Sequence, residues 1–183
     1  MDSGNKEGTL NVTEPGQAQD WTSASLDGLI EHILGTHHVY LRTHLPRLEK
    51  AGRHGDVPGA LLGVFVDLKG ELESHMWKEE MVLFPLIRGL VSAEASGSAA
   101  PPAHCGSVRN PVRVMEHEHD AALRALAEMR RLTGDYALAG DACSSCQVLY
   151  DGLKQLEADL IEHIRLENDI LFPRAAELEA RLG

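Results

Sequence analysis

Two stretches of the chain, HMWKEEMVLFP (His75 to Pro85) and HIRLENDILFP (His163 to Pro173), carry His, Glu, Leu, Phe and Pro at identical offsets. In each, the His and the first shared Glu stand four residues apart: His75 with Glu79, His163 with Glu167. On a helix, such a pair lies on one face, a turn apart. Apolar residues turn that face inward, with Leu72, Met76, Val82 and Leu83 around the first pair and Leu160, Ile164 and Leu171 around the second. A carboxylate buried without a partner is strongly disfavoured. No Lys or Arg occupies a matching inward position, so a cation is the expected partner, and one metal site satisfies all four groups.

The rest of the chain supplies the helices to surround them. From Ser23 or Ser25, Leu26, Leu29, Ile30, Ile33 and Leu34 follow helical spacing. This first helix is expected to reach about Ala51, with a kink at Pro46. GRHGDVPGA reads as a turn. A second helix carries Leu61, Leu62, Phe65, Leu68 and Leu72 and ends near Leu90; the stretch at about 91–110 is rich in small residues and is expected to be a mobile loop. A third helix covers about Pro111 to Leu132. The fourth starts near Asp141, a candidate N-cap, and runs to about Leu182. No segment alternates with a period of two. The expected fold is all-α, an antiparallel four-helix bundle over residues 23–183, preceded by a disordered tail at 1–22.

Each remaining helix offers one inward His. His38 continues the stripe of Ile30, Ile33 and Leu34, and His119 lies between Met115 and Leu123 at helical spacing. Four imidazoles and two carboxylates exceed what one metal takes and suit two. With both Glu bridging, each metal receives two His nitrogens and two carboxylate oxygens; an oxo or hydroxo bridge would leave a position open for a small diatomic. Imidazole with carboxylate favours iron, manganese or zinc over calcium or magnesium.

Composition narrows the partners. The formal net charge is −11, which argues against nucleic acid and against an anionic membrane surface. No apolar run approaches the roughly 20 residues that span a bilayer. The first twenty residues lack the basic and apolar regions of a secretory signal, so a cytoplasmic location is expected. Three cysteines in a reducing compartment argue against a disulfide framework. Cys143-Ser-Ser-Cys146 has the spacing of a thioredoxin-like pair but lacks the βαβ setting. Ten His exceed the three Phe, three Tyr and two Trp combined, an imbalance that the ligand reading explains in part.

The segments IEHILGTHHVYLRTHLPRLE, ELESHMWKEEMVLFP, PVRVMEHEHD and LEADLIEHIRLENDILFPRA together resemble hemerythrin-like four-helix bundles. The resemblance is closest to the family of di-iron proteins that repair iron centres, and it spans about residues 25–176. It implies two non-haem irons, carboxylate- and oxo- or hydroxo-bridged, with His38, His75, His119 and His163 as terminal ligands and Glu79 and Glu167 as bridges. Glu71 and Glu118 would be outer carboxylates that relay protons or guide iron. The implied activity is repair of iron–sulfur clusters damaged by nitrosative or oxidative stress, through iron donation to iron–sulfur proteins and reduction of nitric oxide. The alternatives are an oxygen-binding or oxygen-sensing module and a di-iron peroxidase.

Three departures qualify the resemblance. Oxygen-carrying hemerythrins have a further His one turn before the third-helix ligand, where this chain has Met115, which counts against a pure oxygen carrier. Residues 1–22 contain no Cys, whereas full-length relatives usually carry a small N-terminal domain with paired cysteines. His54, in a shortened turn, lies about 24 Å along the helix from His38 and is left out of the cluster. His32, His37, His44, His104 and His117 are read as surface or structural groups. Phe84, Phe172, Trp77 and Tyr40 are read as packing residues near the centre, with Tyr40 also within reach of a bound ligand.

Overall fold

The computed structural model describes residues 20–100, 102, 104–138, 140 and 143–183. Four long helices run antiparallel. Helix α1 comprises Leu26–His32, a π-helical segment Ile33–His38, and Val39–His54. Helix α2 comprises Gly59–Lys78, a π turn Glu79–Leu83, and Phe84–Ser96. Helix α3, Arg109–Thr133, is regular throughout. Helix α4 comprises Ser144–Leu166, a π turn Glu167–Leu171, and Phe172–Leu182. Packing of α1 on α4 and of α2 on α3 closes the bundle.

The helix ends follow local chemistry. Ser25 caps α1, its hydroxyl accepting the Gly28 N–H at 3.0 Å. Helix α1 continues through Pro46 to His54, three residues past the expected end, and the turn shrinks to Gly55–Pro58. The larger correction is in α2. Its last segment extends to Ser96 rather than Leu90, because Ala93 is still buried and the first residue to break the helix is Gly97, at φ 64°. Residues 1–19 of the expected tail, like Asp141, lie outside the described residues. Helix α4 opens instead with Cys143 as its cap. Cys143 and Cys146 are joined by a disulfide, a bond that the cysteine count had argued against.

The core falls into two apolar blocks with the candidate ligands between them. One block holds Leu41, Leu45, Phe65, Leu72, Leu126, Leu153 and Leu160; the other holds Ile30, Ile33, Leu83, Ile87, Met115, Leu166 and Leu171. Phe84 and Phe172 are buried at the boundary and pack against imidazoles, Phe84 on His38 with centroids 5.8 Å apart and Phe172 on His119 at 6.0 Å. Trp77 corrects the packing reading, since it is 60% exposed.

Candidate metal centre

The repeated segments are where α2 and α4 change helical pitch. The Phe84 N–H bonds the Glu79 carbonyl, and the Phe172 N–H bonds the Glu167 carbonyl, five residues back in each case. Pro follows at once in both copies and has no N–H to return to the ladder, so the wide turn forms where a regular bond is already missing. The extra residue turns the Glu inward while leaving the following Leu and Phe buried. In α1 the Val39 N–H reaches back five residues to Leu34, placing His38 at the end of a similar segment.

All six candidate ligands converge. Glu79 and Glu167 have no exposed surface, and His38, His75, His119 and His163 are each at most 3% exposed. One Glu79 oxygen lies 3.3 Å from His75 Nε2 and the other 3.2 Å from His38 Nε2. Glu167 repeats the pattern, 3.2 Å from both His163 Nε2 and His119 Nε2. Two overlapping sets result, His38–Glu79–His163–Glu167 and His75–Glu79–His119–Glu167, each with donor atoms within 4.8 Å of one another. Both sets use both carboxylates.

The outer nitrogens decide what this convergence means. His38 Nδ1 donates to Glu80 at 2.6 Å, His75 Nδ1 to Glu118 at 2.9 Å, and His119 Nδ1 to the Asn168 side-chain oxygen at 2.8 Å. A neutral imidazole with its proton on Nδ1 presents a lone pair at Nε2. Those lone pairs face carboxylate oxygens, and His75 and His119 face each other with Nε2 atoms 3.1 Å apart. Among the described residues, neither oxygen of Glu79 or Glu167 has a hydrogen-bond partner. Electron-rich atoms held this close require protons or cations between them.

The electrostatics of the cluster reflect that demand. Burial alone would lower the His75 pKa, but the nearby Glu79 carboxylate, with help from Glu167 and Glu118, carries it up to about 9. His38 is raised for the same reason, Glu79 and Glu80 outweighing burial. Burial would raise the Glu167 carboxyl, yet His163 and His119 hold it well below the usual carboxylate range. A bound metal replaces these protons, since ligands must give them up to bind. The donor set therefore fits a pair of cations.

Sequence reasoning missed two of the three outer partners, Glu80 and Asn168, although a signal was present. Glu80 and Asn168 occupy the same offset in the repeat, directly after Glu79 and Glu167. Each orients the His of the neighbouring helix. The other half of the outer arrangement breaks the symmetry. Glu118 precedes His119 and holds His75; its counterpart His37 precedes His38 but stacks on His163, with centroids 5.1 Å apart. His37 is buried and bonds Asp159 at 2.9 Å, so its structural reading stands. His54 is exposed and bonds the Lys50 carbonyl, away from the cluster.

Glu118 and Glu71 stand on the approach to the centre. A cavity of about 10 Å³, room for about one water, is lined by both carboxylates with His75, His119 and His163. Outside it lies an open groove of about 660 Å³ that shares Glu71 and Glu118 as a wall. Glu118 is held from both sides, by His75 and by the Lys78 ammonium. Glu71 is exposed on its outer side. Met115 is 2% exposed and packs in the apolar block beside Val112, with no polar atom to offer.

Comparison with known proteins agrees with this architecture. The model for the hemerythrin HHE cation binding domain matches residues 29–175. Among curated relatives, the iron-sulfur cluster repair protein YtfE of Dickeya chrysanthemi (strain Ech1591) is 39% identical over 171 residues, covering 89% of this chain and 72% of that protein. YtfE of Yersinia pseudotuberculosis (strain IP 31758) shows the same identity and coverage, and YtfE of Yersinia pestis (strain Pestoides F) is 38% identical. With both His–Glu turns inside the matched span and the helices in register around them, the chain belongs to the hemerythrin HHE family, alongside the YtfE iron–sulfur cluster repair proteins.

Proposed function

We propose that the chain holds two iron ions between its helices and acts in the repair of iron–sulfur clusters, donating iron and reducing nitric oxide. The observation that carries this reading is the pair of four-residue sets that share both carboxylates. His38 and His163 would serve one position, His75 and His119 the other, with Glu79 and Glu167 spanning both. When bound, two irons supply one electron each and open coordination positions for a small diatomic.

The chain's own residues supply the rest. Glu80, Glu118 and Asn168 fix three imidazoles at Nδ1, which sets the direction of each lone pair and strengthens each donor. The small cavity has room for something near the size of one water. Glu118 shares one oxygen with His75 and the other with Lys78, so it is placed to pass a proton between the groove and the centre. Its carboxyl is biased towards the ionised form: burial would raise its pKa, but Lys78 and His75 together lower it. Glu79 and Glu167 would hold the iron that serves as cargo, each offering two carboxylate oxygens to the centre. The recipients would be iron–sulfur proteins, and the setting the cytoplasm; no described helix is long and apolar enough to cross a membrane.

The test is metal analysis after anaerobic iron loading, wild type beside the Glu79→Ala, Glu167→Ala double variant. The reading expects about two irons per wild-type chain and loss of both in the variant, with consumption of nitric oxide and transfer of iron to an apo-cluster protein by the loaded wild type only. Absence of stoichiometric iron would overturn it. A stable, reversible oxygen adduct without nitric oxide consumption would assign the centre to oxygen binding instead.

A further inference from the structure

The cysteine pair at the start of α4 takes no part in the metal centre. Cys143 is the N-cap and Cys146 the third residue of the 23-residue segment Ser144–Leu166. Cys143 Sγ accepts the Cys146 N–H at 3.1 Å. The first N–H groups of a helix have no intrahelical partner and favour negative charge, so a thiolate at this cap is stabilised. The two sulfurs differ in access. Cys143 is exposed, whereas Cys146 is 5% exposed and packs behind the α1–α2 turn, its sulfur 3.7 Å from the Asp56 carbonyl.

A groove of about 380 Å³ runs beside the pair, lined by Arg47, Lys50, His54 and the two serines between the cysteines, Ser144 and Ser145. Among the described residues, no carboxylate lines it. On a chain of net charge −11, a basic groove next to an exposed sulfur selects for an anionic partner. The pair is also distant from the candidate ligands: Cys146 and His163 are separated by about 25 Å of helix. The remaining cysteine, Cys105, lies between α2 and α3, where the adjoining Val108 belongs to the other apolar block.

We propose that Cys143 and Cys146 form a thiol–disulfide exchange site for an anionic low-molecular-weight thiol. The reducing thiolate attacks the exposed Cys143 sulfur, the Cys143–Cys146 bond breaks, and Cys146 leaves as a thiolate that takes a proton. A second thiolate attacks the reductant's sulfur in the mixed disulfide. Cys143 leaves and is protonated, and the reductant departs as its own disulfide. Two electrons and two protons reach the protein, and two thiols are oxidised. The reverse sequence reoxidises the pair.

The test uses the full chain with Cys105→Ser, equilibrated in glutathione buffers of graded poise and read by a mass-shifting maleimide. Both thiols are expected to titrate together in one two-electron transition, with iron content unchanged in the same samples. Oxidised glutathione should be trapped on Cys143 in the Cys146→Ser variant and not on Cys146 in Cys143→Ser. Reversing charge with Arg47→Glu and Lys50→Glu should slow reduction by glutathione about fivefold at low salt, while reduction by cationic cysteamine is not slowed. A pair that stays reduced in oxidised glutathione, or trapping that is equal at both sulfurs, would overturn the exchange site. Equal slowing with both reductants would overturn its selectivity for anions.

Discussion

Three of the four central imidazoles are fixed at the nitrogen that points away from the centre, and the three partners differ in charge. Glu80 is itself held by Arg42, whose guanidinium reaches both its oxygens at 2.7 Å. Asn168 is neutral. Hydrogen bonds to an ionised acceptor are about twice as strong as neutral ones, so Glu80→Leu should weaken metal binding more than Asn168→Leu. Losses of about 10- to 100-fold are expected, measured by competition with a chromophoric chelator. Glu162→Gln, on the exposed side of α4, should leave affinity unchanged. The inward placement of the six candidate ligands was legible in the sequence because each continues an apolar stripe, where only a metal or a buried partner explains a His or Glu. Glu80 and Asn168 were not, since each reaches sideways to another helix from a half-exposed position, where an acid or amide ordinarily meets water.

At the level of the helices, close approach and pitch matter more than propensity. Gly152 of α4 faces Leu48 of α1, and a Cβ there would lie 2.2 Å from a Leu48 methyl. Gly152→Ala should destabilise the fold by about 1–3 kcal/mol through overpacking, seen as a lower urea midpoint. Gly63, mid-helix in α2, has open space around it, with nothing within 4 Å of where an added methyl would sit; Gly63→Ala should stabilise by about 0.5–1 kcal/mol. The π turns divide the same way in what the sequence discloses. Those of α2 and α4 are announced by the repeated Leu-Phe-Pro, where proline breaks the ladder. The α1 segment has no proline behind it, and nothing in ILGTHHVY sets it apart from a regular helix. The longer α2 was missed because small residues after Leu90 resemble a linker, while Ala is in fact the strongest helix former.

For the molecule as a whole, the centre is a layer of charge between two oily blocks. Six ionisable side chains packed there call for protons or cations between them, so loading the site with metal should raise stability by mass action: about 4 kcal/mol at a free metal concentration of 1,000 times Kd. Chelation should therefore lower the melting temperature by several degrees, and the Glu79→Ala, Glu167→Ala variant should not respond to chelator at all. Equal melting with and without metal would leave the His–Glu pairs as a packing device.

The layout of the two ligand sets bears on how the chain holds together once made. The stretch between Ser96 and Arg109 is the covalent link between the α1–α2 and α3–α4 hairpins. Each candidate set draws two residues from either hairpin: His38 and Glu79 with His163 and Glu167, or His75 and Glu79 with His119 and Glu167. Neither hairpin owns a site. A protease cut within that link would thus leave two fragments stitched by shared coordination, and separately produced hairpins should find each other when iron is added and part when it is withdrawn.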